Sequence, residues 1–166
     1  MVLRDMANKD SIKKSIFFIL KFLCVFLLLS WFFNLEIVSE FFINFFVWIM
    51  KSFIFIIGKG TTSIVENNIV FNSVSMLMTK ECTGAVMYAL FIAFVLAYGI
   101  SKKTWKYGVY GLLILISLNI LRLFTLLVST FFGEKVFYFI HDFLWPSTFF
   151  VFTLIAILFY IKGSSK

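Results

Sequence analysis

The sequence predicts an all-α membrane protein that crosses the bilayer several times. Of its 166 residues, 62% are hydrophobic and only 14% are charged, whereas soluble globular proteins carry roughly 25% charged residues. Four apolar runs are long enough to cross roughly 30 Å of hydrocarbon as helices. They cover residues 16–33, 84–100, 108–131 and 144–161. We therefore expect a single membrane domain, residues 1–166, with four transmembrane helices.

The first apolar run follows a basic N-terminal stretch, residues 1–15. A secretory signal peptide would have a shorter apolar region, of roughly 7–15 residues, and a small-residue cleavage site. This run instead ends in Trp31, Phe32 and Phe33. We expect a retained transmembrane helix, with residues 1–15 on the cytoplasmic side.

A fifth apolar run, residues 41–57, has two interpretations. At about 100° per residue, its polar positions and those just beyond its ends fall within one third of the helix circumference. These residues are Glu40, Asn44, Lys51, Ser52 and Lys59. The pattern favours an interfacial or half-inserted helix. The alternative is a fifth full span.

The basic residues favour four spans with both termini in the cytoplasm. In that topology nine of the fifteen Lys and Arg residues lie inside, as the positive-inside rule expects of a cell-membrane protein. They are Arg4, Lys9, Lys13, Lys14, Lys102, Lys103, Lys106, Lys162 and Lys166. The net charge of +7 thus reflects topology, and we expect no nucleic-acid partner.

The outer loop, residues 60–80, alternates between apolar and polar side chains around Asn67 and Asn68. This alternation predicts a short β-hairpin outside the membrane. The apolar positions are Ile64, Val65, Ile69, Val70, Phe71, Val74 and Met76.

An arginine inside a membrane span indicates a functional site, because a buried charge costs several kcal/mol. Arg122 lies about two turns from the outer end of its predicted helix, and Asn119 lies on the same helix face. We expect Asn119 to orient Arg122. The alternative is a structural arginine paired with Glu81 or with a lipid phosphate.

One of the two cysteines lies where its chemistry can be used. Cys82 stands at the predicted start of a helix, where the positive end of the helix dipole stabilises a thiolate. Thr83 could cap this helix, and Gly84 would allow a close approach of backbone or substrate. Cys24 lies in the middle of the first span, and we expect it to be a buried, inert packing residue.

The single histidine, His141, precedes the last span in an outer segment, residues 133–142. An imidazole with a reference pKa of about 6.5 can accept a proton from a thiol. Cys82, Arg122 and His141 all lie toward the outer face in the predicted topology. We therefore expect them to form one thiol active site.

Three short motifs occur in order: C-x-G at a helix start, N-x-x-R in the next helix and H-x-x-x-W before the last. Over about residues 60–161 the chain resembles the exosortase/archaeosortase family of intramembrane cysteine transpeptidases, without the additional N-terminal spans of its larger members. The matching residues are Cys82, Gly84, Asn119, Arg122, His141 and Trp145.

The resemblance implies cleavage of membrane-anchored proteins at a C-terminal sorting signal, made of a short motif, a transmembrane helix and a basic tail. The new carboxyl end would pass to a lipid or another acceptor. We expect Cys82 as nucleophile, His141 as base and Arg122 as oxyanion stabiliser, with Glu81 pairing with Arg122 or holding His141. No cofactor and no metal ion are expected.

A second class of function fits the same sequence. In a small membrane assembly or transport subunit, Arg122 would pair with an acidic residue of a partner helix, and Cys82 would be incidental.

Overall fold

A computed structural model of the protein describes residues 2–57, 62–71, 74–101 and 104–164, with side chains except at 2–11 and 62–64. Lys59, Lys102, Lys103 and Lys166 of the predicted charge pattern therefore lie outside the described residues. The helices are α1 (Val2–Asn34), α2 (Glu36–Ile57), α3 (Ala85–Tyr98), α4 (Trp105–Ser129), α5 (Glu134–Tyr138) and α6 (Trp145–Ser164). Single turns of 3-10 helix cover Lys80–Thr83, which we call the Cys82 turn, and Thr130–Phe132, and a π-helical segment covers Phe139–Leu144.

Four helical stretches are long and apolar enough to cross a membrane, and the predicted all-α, multi-pass class is confirmed at this level. These stretches are Ile12–Asn34, Glu36–Ile57, Trp105–Phe132 and Glu134–Ser164. Helix α3 is apolar but shorter. Helix α2, which contains the predicted interfacial segment 41–57, is therefore one of the long helices. The predicted span 84–100 is not among them.

Helix α3 is short because the chain folds into the Cys82 turn before entering it. Its 14 residues give about 21 Å of helix, against roughly 30 Å of hydrocarbon. Gly84, with φ of +73°, changes the chain direction between the turn and the helix. The predicted span 84–100 thus becomes a recessed turn followed by a helix.

One contact of α2, between Phe53 and Phe124, indicates how this helix is oriented relative to α4. Because Glu36 follows α1 directly, a vertical helix would carry Phe53 about 25 Å along the membrane normal. Instead the Phe53 ring packs edge-to-face on Phe124 at 5.2 Å, and Phe124 is only five residues, about 8 Å, from the end of α4 at Ser129. This packing favours a helix that crosses the bundle near the C-terminal end of α4.

The outer loop forms three antiparallel strands, one more than the predicted hairpin: β1 (Thr62–Val65), β2 (Asn68–Phe71) and β3 (Val74–Leu77). Ile69 pairs with Met76 across β2 and β3. Both side chains are buried, as are Phe71 and Val74, because one face of the sheet packs against the helices. The third strand depends on this long-range packing, which alternation alone does not reveal.

Two apolar clusters make up the core, and they meet along α4. The outer cluster joins the sheet and α2 to Leu123 and its neighbours. The inner cluster joins α3 and α6 to Leu115 and is closed by Tyr160, whose hydroxyl donates to the Gly99 carbonyl at 2.7 Å. Asn119 and Arg122 of α4 lie between Leu115 of the inner cluster and Leu123 of the outer cluster.

Candidate active site

The Cys82 turn is held by hydrogen bonds to its backbone. Asn119, fully buried on α4, donates from Nδ2 to the carbonyl oxygens of Cys82 at 3.3 Å and Thr83 at 3.0 Å. The Thr83 hydroxyl donates to the Lys80 carbonyl at 2.6 Å and accepts from the Ala85 N–H at 3.3 Å. These bonds satisfy backbone groups that lie away from water.

Asn119 therefore has a different role from the predicted one. We expected it to orient Arg122, but its amide nitrogen binds the turn that carries the thiol. The reason is geometric: the recessed turn brings two carbonyls to the level of Asn119, and these are strong acceptors. Its Oδ1 has no hydrogen-bond partner among the described residues.

The Cys82 thiol is nearly enclosed, with 3% of the residue exposed. Its sulfur lies 3.7 Å from Thr79 Oγ1 and 4.0 Å from the Leu77 carbonyl oxygen. Burial raises the pKa of Cys82, but hydrogen bonding with His141 and Thr79 and the positive charge of Arg122 lower it more. The net effect lowers the pKa of Cys82 and favours the nucleophilic thiolate.

The position of Cys82 differs from the predicted helix start. The residue lies in the turn before Gly84, and α3 begins only at Ala85. The groups that stabilise its thiolate are therefore mainly side chains from other segments. Thr83, the predicted cap residue, accepts a hydrogen bond at its hydroxyl from the N–H of Ala85, the first residue of α3.

His141 faces Cys82 from the π-helical segment. Its Nδ1 lies 2.5 Å from Asp142 Oδ1, so Nε2 is the nitrogen available to the thiol. The ring stacks on Phe137 with 5.7 Å between centroids. The predicted last span begins at residue 144, but residues 134–164 form one helical stretch. Its π-helical part shifts the phase of the helix, as π-bulges at functional sites often do.

Arg122 is 8% exposed and has no carboxylate within ion-pair distance among the residues with described side chains. Its Nε is buried without a hydrogen-bond partner in the same part of the chain. The charges that act on it come from Cys82 and Tyr88. An internal ion pair with Glu81, one of the predicted alternatives, is not observed.

Glu81 also does not hold His141, which pairs with Asp142 instead. Hydrogen bonding from the Thr79 hydroxyl is the main cause that lowers the pKa of Glu81. Thr79 therefore contacts both the acidic residue and the thiol, and Glu81 contributes a negative charge at the edge of the site.

A cavity of about 350 Å³ opens beside the Cys82 turn. Its lining combines polar and charged residues with apolar side chains of α3 and α6. Its lining residues are Glu81, Gly84, Val86, Met87, Arg122, His141, Asp142, Pro146 and Phe149. A substrate carbonyl in this cavity would meet the guanidinium and the imidazole together.

Two supporting residues of the predicted motifs fix the walls of the cavity. Trp145 Nε1 donates to Thr125 Oγ1 at 2.8 Å and so attaches the start of α6 to α4. At Gly84 a Cβ atom would lie 3.2 Å from the Tyr88 hydroxyl and 3.3 Å from the Phe149 ring. The glycine thus permits the close packing of α6 on the turn.

The second cysteine, Cys24, lies elsewhere. It is exposed on the surface of α1, so the prediction of a buried packing residue is wrong. An apolar helix near one end of the chain presents most of its side chains outward, and lipid rather than protein is the expected neighbour of this thiol.

Several residues of the site escaped the sequence reasoning. Asp142 stands next to His141, and this adjacency was an available signal. Tyr88 follows Gly84 by four residues and so shares its helix face. Thr125 carried no signal, since its partner Trp145 lies 20 residues away in the chain. Thr79 lies only three residues before Cys82, but its contact depends on how the turn folds.

Comparisons of the chain with models of known protein families, with curated proteins and with solved structures give no match. The geometry of the site and the three motifs are therefore what bears on function.

Proposed function

We propose that this protein is a membrane-embedded cysteine peptidase or transpeptidase. One observation carries the proposal: His141 and Arg122 line one cavity, and both act electrostatically on the adjacent Cys82 thiol. The Arg122 guanidinium is buried and has no carboxylate partner among the residues with described side chains. A buried charge is costly, and an unpaired one favours a role in binding or stabilising negative charge. The motif resemblance to exosortases and archaeosortases points to the same chemistry.

The acylation step uses the three groups in order. The Cys82 proton moves to His141 Nε2, and Sγ attacks the scissile carbonyl carbon. As the C–S bond forms, the carbonyl π electrons move to oxygen, and Arg122 stabilises this oxyanion. The intermediate collapses to a thioester as the C–N bond breaks, and His141 returns the proton to the leaving amine.

A second attack releases the acyl group. An amine or hydroxyl of the acceptor, or water, gives its proton to His141 and bonds to the thioester carbon, and the Cys82 thiolate leaves. An amine or hydroxyl acceptor gives transfer, whereas water gives proteolysis. Asp142 holds His141 in the orientation that both steps need.

The proposed substrates are exported proteins anchored by a C-terminal transmembrane helix with a basic tail. The cavity is lined by Val86 and Met87 of α3 and by Phe149 of α6, apolar side chains suited to a segment arriving from the lipid. We place the protein in the cell membrane with both termini in the cytoplasm and the site toward the extracytoplasmic face. A lipid is a suitable acceptor there.

An acyl-enzyme trap tests the proposal. Protein purified from its own host membranes after rapid acid quenching should carry a hydroxylamine-labile adduct on Cys82, detected by intact-mass and peptide mass spectrometry. Cys82→Ala should lose the adduct, and Cys24→Ala, the matched control, should keep it. Arg122→Lys should reduce acylation by about 100-fold, because a point charge does not reproduce the planar fork.

Equal adducts in the Cys82→Ala and Cys24→Ala proteins, or none in any protein, would refute the enzymatic proposal. The guanidinium of Arg122, which has no carboxylate partner among the side chains that the structure describes, also suits a membrane assembly subunit. An acidic residue of a partner helix would then neutralise it. In that case a partner protein should co-purify with the wild type and be lost from Arg122→Gln, with no acyl adduct.

A further inference from the structure

Tyr88 is a buried polar residue that the mechanism above does not use. It lies on α3 and is 3% exposed. The Asn119 side chain lies near its hydroxyl, but no hydrogen bond of normal length and angle satisfies this hydroxyl among the described residues. An unsatisfied buried hydroxyl costs roughly 1–3 kcal/mol. A phenylalanine would fill the same space without this cost, so the hydroxyl is suited to a partner that is not part of the chain.

The hydroxyl lies next to the cavity wall. A Cβ atom at Gly84, a lining residue, would be 3.2 Å from the Tyr88 hydroxyl oxygen. With glycine there, no side chain separates the hydroxyl from the Cys82 turn. The Tyr88 ring packs edge-to-face on Phe149 at 6.4 Å, which fixes its direction.

Tyr88 is also close to the other catalytic groups. The Arg122 charge interacts with both the Cys82 sulfur and the Tyr88 hydroxyl. The Arg122 guanidinium is therefore near both the Cys82 sulfur and the Tyr88 hydroxyl. Arg122 and Tyr88 are thus two hydrogen-bond donors close to the place where the oxyanion would form.

We propose that the Tyr88 hydroxyl is a second oxyanion donor, acting with Arg122. The inference rests on the proposed function and names a further catalytic residue for it. When the Cys82 sulfur bonds to the substrate carbonyl carbon, the electron pair of the π bond moves to oxygen. Tyr88 donates a hydrogen bond to this oxygen and keeps its proton throughout. The donor is prepared in advance, as effective oxyanion stabilisation requires.

Two reagents separate this role from a structural one. Iodoacetamide alkylates a thiolate by displacement of iodide, and no oxyanion forms. p-Nitrophenyl acetate acylates it through a tetrahedral oxyanion and releases p-nitrophenolate. Both rates are measured on the full-length protein in detergent, in a Cys24→Ala background so that only Cys82 reacts.

Tyr88→Phe should slow acylation by about 100-fold, the effect of removing one oxyanion donor, and leave alkylation unchanged. Tyr98→Phe is the matched control: Tyr98 lies at the other end of the same helix from Gly84 and is exposed. It should change neither rate. Unchanged alkylation also shows that the Tyr88→Phe protein is folded around the thiol.

Two results would overturn the inference and leave the proposed function intact. One is wild-type acylation by Tyr88→Phe. The other is an equal loss of both rates, which would mean that Tyr88 only positions the thiol. If the wild type is acylated no faster than Cys82→Ala, the proposed function fails and the inference fails with it.

Discussion

Replacing Asn119 by leucine should loosen the Cys82 turn. The side chain is fully buried and donates two hydrogen bonds, to the Cys82 and Thr83 carbonyls. If each bond contributes about 0.6 kcal/mol, as side-chain bonds in membrane proteins do on average, the loss is roughly 1 kcal/mol. If both carbonyls are left unsatisfied at about 2 kcal/mol each, the loss is roughly 4 kcal/mol. We expect a value between these limits.

Unfolding of the purified protein in mixed detergent and SDS measures this loss. Asn44→Leu is the control, because Asn44 is exposed on α2 and holds no part of the site. The iodoacetamide rate at Cys82 should also change in Asn119→Leu, since the thiol moves away from His141. The same unfolding midpoint and the same rate in both variants would refute the assigned role of Asn119.

Two further predictions concern the same turn. The alkylation rate of Cys82 should reach half its maximum below about pH 8.5, the pKa of an ordinary thiol. His141→Gln should raise this midpoint, because His141 is the main group that lowers the pKa of Cys82. A pH series of rates checks both, and a midpoint at or above 8.5 in the wild type contradicts the argument. Gly84→Ala should destabilise the protein by roughly 1–2 kcal/mol in the same unfolding assay, because φ there is +73° and left-handed backbone is costly for alanine. Gly108→Ala is the control: Gly108 lies in ordinary helix, and a Cβ atom there would be 3.4 Å from its nearest neighbour, Val95. This variant should be as stable as the wild type. Equal losses of stability in both variants would exclude backbone strain as the cause.

Hydropathy and the alternation of helix direction made much of the arrangement predictable. Each long apolar run became helical, and the predicted order of spans placed the segments of Cys82, Arg122 and His141 at the same end of the bundle. Arg122 and His141 line one cavity, and Cys82 lies in the turn beside it, between the lining residues Glu81 and Gly84. Sequence spacing sufficed here because short connections leave consecutive helices few alternatives to antiparallel packing.

The finer geometry could not be predicted, because it depends on contacts between distant segments. The partner of Asn119 follows from the depth of the Cys82 turn, which shortens α3 and packs mainly against α2. His141 lies in a π-helical segment, and helix periodicity gives no sign of such a segment. The place of the Tyr88 hydroxyl, beside Gly84 and without a satisfying hydrogen bond among the described residues, follows only from the packing of the helices.

The two bonds from Asn119 also bear on how the bundle assembles in lipid. Apolar side chains gain little by packing against one another rather than against acyl chains, so they discriminate weakly between helices that are aligned and helices that have slipped. A slip of α4 by one turn, about 5.4 Å, would separate the amide from both carbonyls and leave three polar groups in hydrocarbon. The contact that sets the axial register is thus the one that supports the nucleophile, and a misaligned bundle would have no assembled site.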